Sequence, residues 1–261
     1  MKSLRVFAIG GWLSYRALFS WLQPSLFVMV LLIPSVTQMI FFVFLGRAAD
    51  VENDTFFIVG NALVAAAVPC LFAMSQTIAE ERFTLTLPAL VVSPANRVAL
   101  FLGRAFPSVA NGAIVAAFAL IVGVFIFGIK LGLSAVPGVV LSIVVVAFSC
   151  TGIGLLNASL GLRWRETAVL SNFILYFLLL FAGVNVPLNL LPNWLQTVSK
   201  GLPITHGAEA ARQVVAGSSI ADVSGLLGAE ALVGTVYAVI GLVLLRRFEV
   251  TARRHATLEV A

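Results

Sequence analysis

Side chains able to do chemistry are scarce in this 261-residue sequence, and where they stand excludes several function classes. Lysine occurs only at Lys2, Lys130 and Lys200, and none follows a glycine-rich run. A phosphate-cradling loop ending in Gly-Lys-Ser/Thr therefore cannot form, and the chain is not expected to hydrolyse ATP alone or to be an enzyme. Histidine occurs only at His206 and His255, predicted on opposite sides of a membrane, so neither a two-histidine metal site nor a histidine-paired nucleophile is available and no metal centre is expected. The acidic pair Glu80-Glu81 could suggest intramembrane proteolysis, but the apolar segments around it supply no acidic, histidine or arginine partners. Cys70 and Cys150 both fall inside apolar stretches, where a thiol behaves as a small core residue.

The elements that must position these residues are membrane helices. The chain is 61% hydrophobic and only 10% charged, with a mean hydropathy of +1.07. Residues 17–46, 55–79, 105–129, 131–162 and 167–199 carry no charge, and 225–245 carries only Glu230. About 20 apolar residues cross a hydrocarbon core about 30 Å thick. Spans are predicted at 25–46, 56–78, 106–128, 136–160, 167–186 and 225–245, giving an all-α integral membrane protein with six crossings. Segments 1–24, 79–105, 161–166 and 246–261 hold twelve Lys and Arg against four in the alternate segments. This bias predicts that both termini are cytoplasmic. It also explains the net charge of +5 without nucleic acid. The late start of the first apolar run argues against a cleaved signal peptide.

Lys2, Arg5 and Arg16 fall within about 60° on a helical wheel, with Leu4, Phe7, Leu13, Leu18 and Trp21 around the rest. Residues 1–24 thus read as an amphipathic helix on the cytoplasmic membrane surface, facing anionic lipid through Arg5 and Arg16. The helical bundle follows over 25–245 and a cytoplasmic tail over 246–261. Gln38, Asn61, Asn111, Asn157, Asn172, Tyr176 and Asn185 are polar residues inside spans, and helix-to-helix hydrogen bonding is the first role expected of each. Asn61, Asn172 and Tyr176, on the second and fifth spans, are nominated for a translocation path. Glu230 is expected near enough to the outer surface to be solvated. The spans hold no chain of buried charges, which argues against an ion-coupled carrier.

Two motifs carry more. The first, after the second span, runs Glu80-Glu81-Arg82-Phe83-Thr84-Leu85-Thr86-Leu87-Pro88-Ala89-Leu90-Val91-Val92-Ser93-Pro94. It mixes charge with exposed apolar residues and reads as a short helix across the inner membrane face. The second starts at Gly183-Val184-Asn185-Val186-Pro187, continues through Leu191-Pro192-Asn193-Trp194-Leu195 and Leu202-Pro203-Ile204-Thr205-His206, and ends with Glu209 and Arg212. There a span ends at a Gly/Pro break and the chain turns back through short amphipathic pieces.

These motifs resemble the six-span permeases of ATP-binding-cassette exporters of the type-2 drug and polysaccharide export family. Glu81-Arg82, Thr86-Leu87, Leu90 and Ser93-Pro94 match that family's coupling helix, with Leu85 where the family usually has Gly and Pro88 where it often has Glu. Pro187, Pro192, Trp194, Pro203, His206, Glu209 and Arg212 match its short re-entrant helices between the fifth and sixth spans. The resemblance implies a permease subunit in a bacterial plasma membrane, paired with a second permease copy or a paralogue. ATP and Mg would sit on separate ATPase subunits, engaged through Glu80–Pro94. The implied activity is export of a hydrophobic or amphiphilic drug, antibiotic or lipid by alternating access. A lipid-linked polysaccharide is the alternative cargo, and an ATP-independent channel or secondary transporter the rival mechanism. For His206, lacking partners for a metal, a structural hydrogen bond is expected.

Overall fold

The computed structural model describes residues 24–83, 97–129, 131–161 and 167–255, and among these every regular element is helical. The first rod, α1, begins at Pro24–Phe27, passes through a π-helical segment Val28–Leu32 and continues as Ile33–Ala49. The wide turn has a cause in the sequence. Pro34 has no N–H to give and its ring crowds the preceding turn. The backbone responds by bonding Ile33 N–H to the Val28 carbonyl, five residues back. Ser35 Oγ then donates to Leu31 O at 2.6 Å and Thr37 Oγ to Ile33 O at 2.9 Å.

The remaining long helices are α2 (Asp54–Phe83), α3 (Arg97–Phe127), α4 (Val136–Leu160), α5 (Thr167–Phe181) and α8 (Ser224–His255). Between α5 and α8 lie two short helices, α6 (Asn193–Lys200) and α7 (Thr205–Val215). Five described helices are long and apolar enough to cross a membrane, over Val28–Ala49, Asp54–Ala73, Ala105–Phe127, Leu133–Leu160 and Ser224–Phe248. This is an all-α integral membrane protein. The crossing expected at 167–186 differs: its helix stops at Phe181, and residues 182–186 form a bend instead. Gly183, at φ +70°, begins that bend, and Asn185 and Pro187 prolong it.

The spans are not equivalent. Seventy-eight per cent of the apolar window of α2 and 67% of that ending α4 are buried, against 11% for α1 and 22% for α8. Two central helices are therefore sheathed by the others and leave α1 and α8 facing outward. Small residues make the centre possible: Ala62, Ala65, Ala66 and Ala67 of α2 and Ala147, Cys150, Gly152 and Gly154 of α4 are all buried. Without a hydrophobic driving force in lipid, close backbone approach is what holds such helices together. Asn157 Nδ2 donates to Ser171 Oγ at 2.6 Å, tying α4 to α5 as expected of a polar residue inside a span.

Candidate functional site

The chemistry-bearing residues converge at one end of the bundle, where the chain between α5 and α8 folds back as a cap. Proline sets its corners. Pro187 O receives Leu190 N at 3.1 Å in a single tight turn, and Pro192 O receives Leu195 N at 2.9 Å and Gln196 N at 3.0 Å to start α6. Pro187 and Pro203 are buried, whereas Pro192 and Trp194 are exposed, Trp194 to 69%. A loop through Pro203 then delivers the chain to α7, with Thr205 Oγ donating to Ser199 O at 2.8 Å. His206 Nε2 lies 2.9 Å from Lys200 O, the structural hydrogen bond expected of it. That carbonyl can only accept, so Nε2 carries the proton.

Arg212 anchors the far end of α7. Its guanidinium donates to Gly183 O at 3.0 Å, to Val184 O at 3.1 Å and to Phe56 O at 3.2 Å, and lies 3.6 Å from the centroid of the Phe56 ring. One side chain thus joins the cap to the start of α2 and to the bend after α5. Burial pulls its pKa down to about 10, with the charges of Glu209 and Glu52 opposing the shift. That value still lies well above neutrality. The spacing Glu209-x-x-Arg212 suggests a pair, but Glu209 instead accepts from Gln213 Nε2 at 2.9 Å, one turn on.

Beneath the bend runs a polar chain between spans. Gln38 Nε2 of α1 donates to Asn61 Oδ1 at 3.2 Å, and Asn61 Nδ2 donates to Asn185 Oδ1 at 2.7 Å and to Phe57 O at 2.9 Å. Asn185 closes it by donating to Leu179 O at 3.3 Å. Asn61 is 1% exposed, so its amide is committed to holding α1, α2 and the bend together. Asn172 and Tyr176, one turn apart on α5, are exposed instead, and Asn172 Nδ2 bonds Ala168 O of its own helix at 2.9 Å. The three residues nominated for a path are therefore not brought together within one chain. We expect Asn61→Leu to cost about 1–2 kcal/mol through Gln38 and Asn185 left unpaired, read as a lower melting temperature of the purified chain with or without cargo.

Glu230 corrects the sequence expectation. It is 0% exposed rather than solvated, and its two oxygens accept Ile204 N–H at 2.7 Å and Gly207 N–H at 3.0 Å. The reason is depth. Glu230 lies six residues inside α8, about 9 Å along the helix axis, and the loop before α7 comes down to meet it. The signal in the sequence was a lone acid in an apolar run, which needs a partner; the partners, two backbone amides, have no sequence signature.

A cleft of about 1120 Å³ opens between the cap and the turns after α1 and α3, lined among others by Glu52, Phe56, Phe127, Leu188, Glu209 and Arg212. Its rim is braced by Arg47, which pairs with Asp54 through both guanidinium nitrogens facing it, one at 2.8 Å, and by Arg47 stacking on Phe127 at 5.4 Å. The coupling residues stand apart from this end. Glu80, Glu81 and Arg82 occupy the last turns of α2, while Thr86, Leu87, Leu90, Ser93 and Pro94, like Arg5 and Arg16, lie outside the described residues.

A bundle of membrane-length helices with a folded-back cap at one end and a charged helix extension at the other defines a polytopic membrane protein built to join two faces of a bilayer. The family model for the ABC-2 type transporter matches residues 11–216, and the chain belongs to that family. It is similar to the probable multidrug ABC transporter permease YbhR of Escherichia coli K12, at 28% identity over 158 residues, 56% of this chain and 42% of the relative. The relative of the same description in Escherichia coli O157:H7 matches equally. The chain thus spans less than half the length of the curated relatives it matches.

Proposed function

We propose that this chain is the permease subunit of an ATP-driven exporter, working as one of two permease copies or paralogues above separate ATPase subunits that hold ATP and Mg. The observation that carries the reading is the cap: Arg212, Asn61 and Glu230 knit its helices onto α1, α2, α5 and α8 at the end opposite Glu80–Arg82. With both termini cytoplasmic, as the Lys and Arg bias favours, the cap closes the outer end of a pathway and Glu80–Pro94 faces the ATPase. In that arrangement α5, the shorter apolar helix, makes the remaining one of six crossings.

Cargo class follows from the surface available to a second copy. Val169, Phe173, Tyr176 and Leu180 form an exposed stripe on α5 that also carries Asn172. A mostly apolar wall with two polar groups suits a hydrophobic or amphiphilic molecule, a drug, antibiotic or lipid, more than a bare ion. The similar proteins are described as multidrug permeases, which favours the same class over a lipid-linked glycan.

Purification of the chain from its own membranes tests the reading. An ATPase subunit is expected to co-purify, and Glu81→Ala or Arg82→Ala should lower ATP-dependent transport by on the order of tenfold or more, as for other truncated interfacial charges. Transport that persists in ATP-free vesicles, with no ATPase bound, would make the chain a channel or secondary carrier instead.

A further inference from the structure

Helix α7 is held at both ends by a charged side chain, one supplied by α8 and one its own. At its start the carboxylate of Glu230 accepts two backbone N–H groups, and at its end Arg212 reaches the carbonyls of Phe56, Gly183 and Val184. An acid at the N-terminus and a base near the C-terminus both complement the helix dipole. The helix is therefore a strut between α8 on one side and the ends of α2 and α5 on the other.

The two anchors are unequal. Arg212 makes bonds to three carbonyls and stacks on Phe56, and the one left-handed residue it reaches, Gly183, is a glycine that adopts φ +70° without strain. Glu230 holds Ile204, the residue before α7, at φ +79°, a conformation that a β-branched residue avoids. Opening the Glu230 end relaxes that backbone, while opening the Arg212 end relaxes nothing. The Glu230 end is also tightly seated, since any Cβ at Gly207 would collide with Val146 of α4. Tyr237, two turns along α8, donates to Gly201 O at 3.1 Å and holds the incoming loop to the same helix.

We infer that Glu230 is a positioning residue that latches the cap shut: its carboxylate docks the first turn of α7 onto α8 and α4, and its release lets α7 swing about the Arg212 anchor to open the cleft. The latch rests on the exporter reading. A carboxylate is needed because the two donors meet different oxygens, and an amide in its place turns an NH2 donor toward one of them.

The test uses the full chain in right-side-out vesicles from its own cell, with Val146→Cys as a reporter beneath Gly207, Cys150→Ala to remove the nearby thiol, and native Cys70 as the internal control. Val146 and Cys70 are both 0% exposed. Adding Glu230→Gln should speed labelling of the introduced thiol by an external membrane-impermeant maleimide about tenfold, with Cys70 still unlabelled. Glu230→Asp, which keeps the charge, should fall between. An unchanged rate in Glu230→Gln, or labelling that rises only together with Cys70, overturns the latch. Loading the vesicles with ATP separates the two readings. Labelling indifferent to ATP counts against the exporter, while the comparison of Glu230→Gln with Glu230 decides the latch alone.

Discussion

Arg212→Ala is expected to detach the cap, lowering stability by about 3 kcal/mol or more and abolishing transport. The size follows from what the substitution strands. Three backbone carbonyls, of Phe56, Gly183 and Val184, lose a charged donor in a partly buried site, and each hydrogen bond to a charged group contributes about 1.5–3 kcal/mol. The ring of Phe56 loses its cation as well. Arg212→Lys should recover less than half, because a compact ammonium cannot span carbonyls that a planar fork reaches together. Glu209→Gln, one turn away and exposed, should stay within about 0.5 kcal/mol. Thermal unfolding of the purified chain in lipid discs, followed by helical circular dichroism, reads all three. A melting temperature for Arg212→Ala equal to that of Glu209→Gln would remove the anchor from the argument. Since the lowered pKa of Arg212 remains about 10, the guanidinium keeps its charge through the neutral range, and unfolding should show no step from it there.

Much of this was legible in the residues. Uncharged stretches locate the membrane helices because a charge in hydrocarbon is costly wherever it stands. Pro187, Pro192 and Pro203 mark the corners of the cap because proline acts through its own backbone and needs no partner. Among the interior polar residues, Asn61 and Asn157 bond across to other segments as expected, whereas Asn172 bonds its own helix and Tyr176 is exposed. What the sequence could not show was depth and partnership. Nothing around Glu230 says that residues 26 and 23 positions earlier return to its level in the membrane, so its burial was missed. Nor does the spacing of Glu209 and Arg212 show that carbonyls far along the chain outcompete the neighbouring acid. The end of α5 was placed too late for a related reason: Ala182–Val186 is apolar enough to continue a span, and only the left-handed Gly183 and the pull of Arg212 on two carbonyls turn it aside.

The second large effect is expected in the seam between α4 and α8, where the contact is made by backbone. Gly152→Val and Gly234→Val should each cost more than about 3 kcal/mol, beyond the usual range for overpacking, and leave little folded protein in the membrane. At Gly152 an added Cβ would collide with the carbonyl of Gly234, and at Gly234 it would lie 2.5 Å from the Cα of Ser149. Gly241 repeats the contact two turns on, with Leu156 N at 2.7 Å from its built Cβ. Every obstacle named is backbone, so no rotamer change relieves it, and the helices must separate. The control lies on the same helix: Gly225 and Gly228 have nothing within 4 Å of an added Cβ. Alanine at either should be neutral or raise stability by up to about 1 kcal/mol through helix propensity. Membrane yield and melting temperature of the four variants decide the matter, and a Gly152→Val protein that melts with the native one would refute the seam. The seam also bears on the cap. Glu230 precedes Gly234 by one turn on the same face of α8, so the glycine contact sets the height and rotation at which the carboxylate meets Ile204 and Gly207. Gly234→Ala, the mildest change that still meets the Ser149 backbone, should therefore speed labelling beneath the cap in the Val146→Cys reporter while leaving Glu230 itself intact.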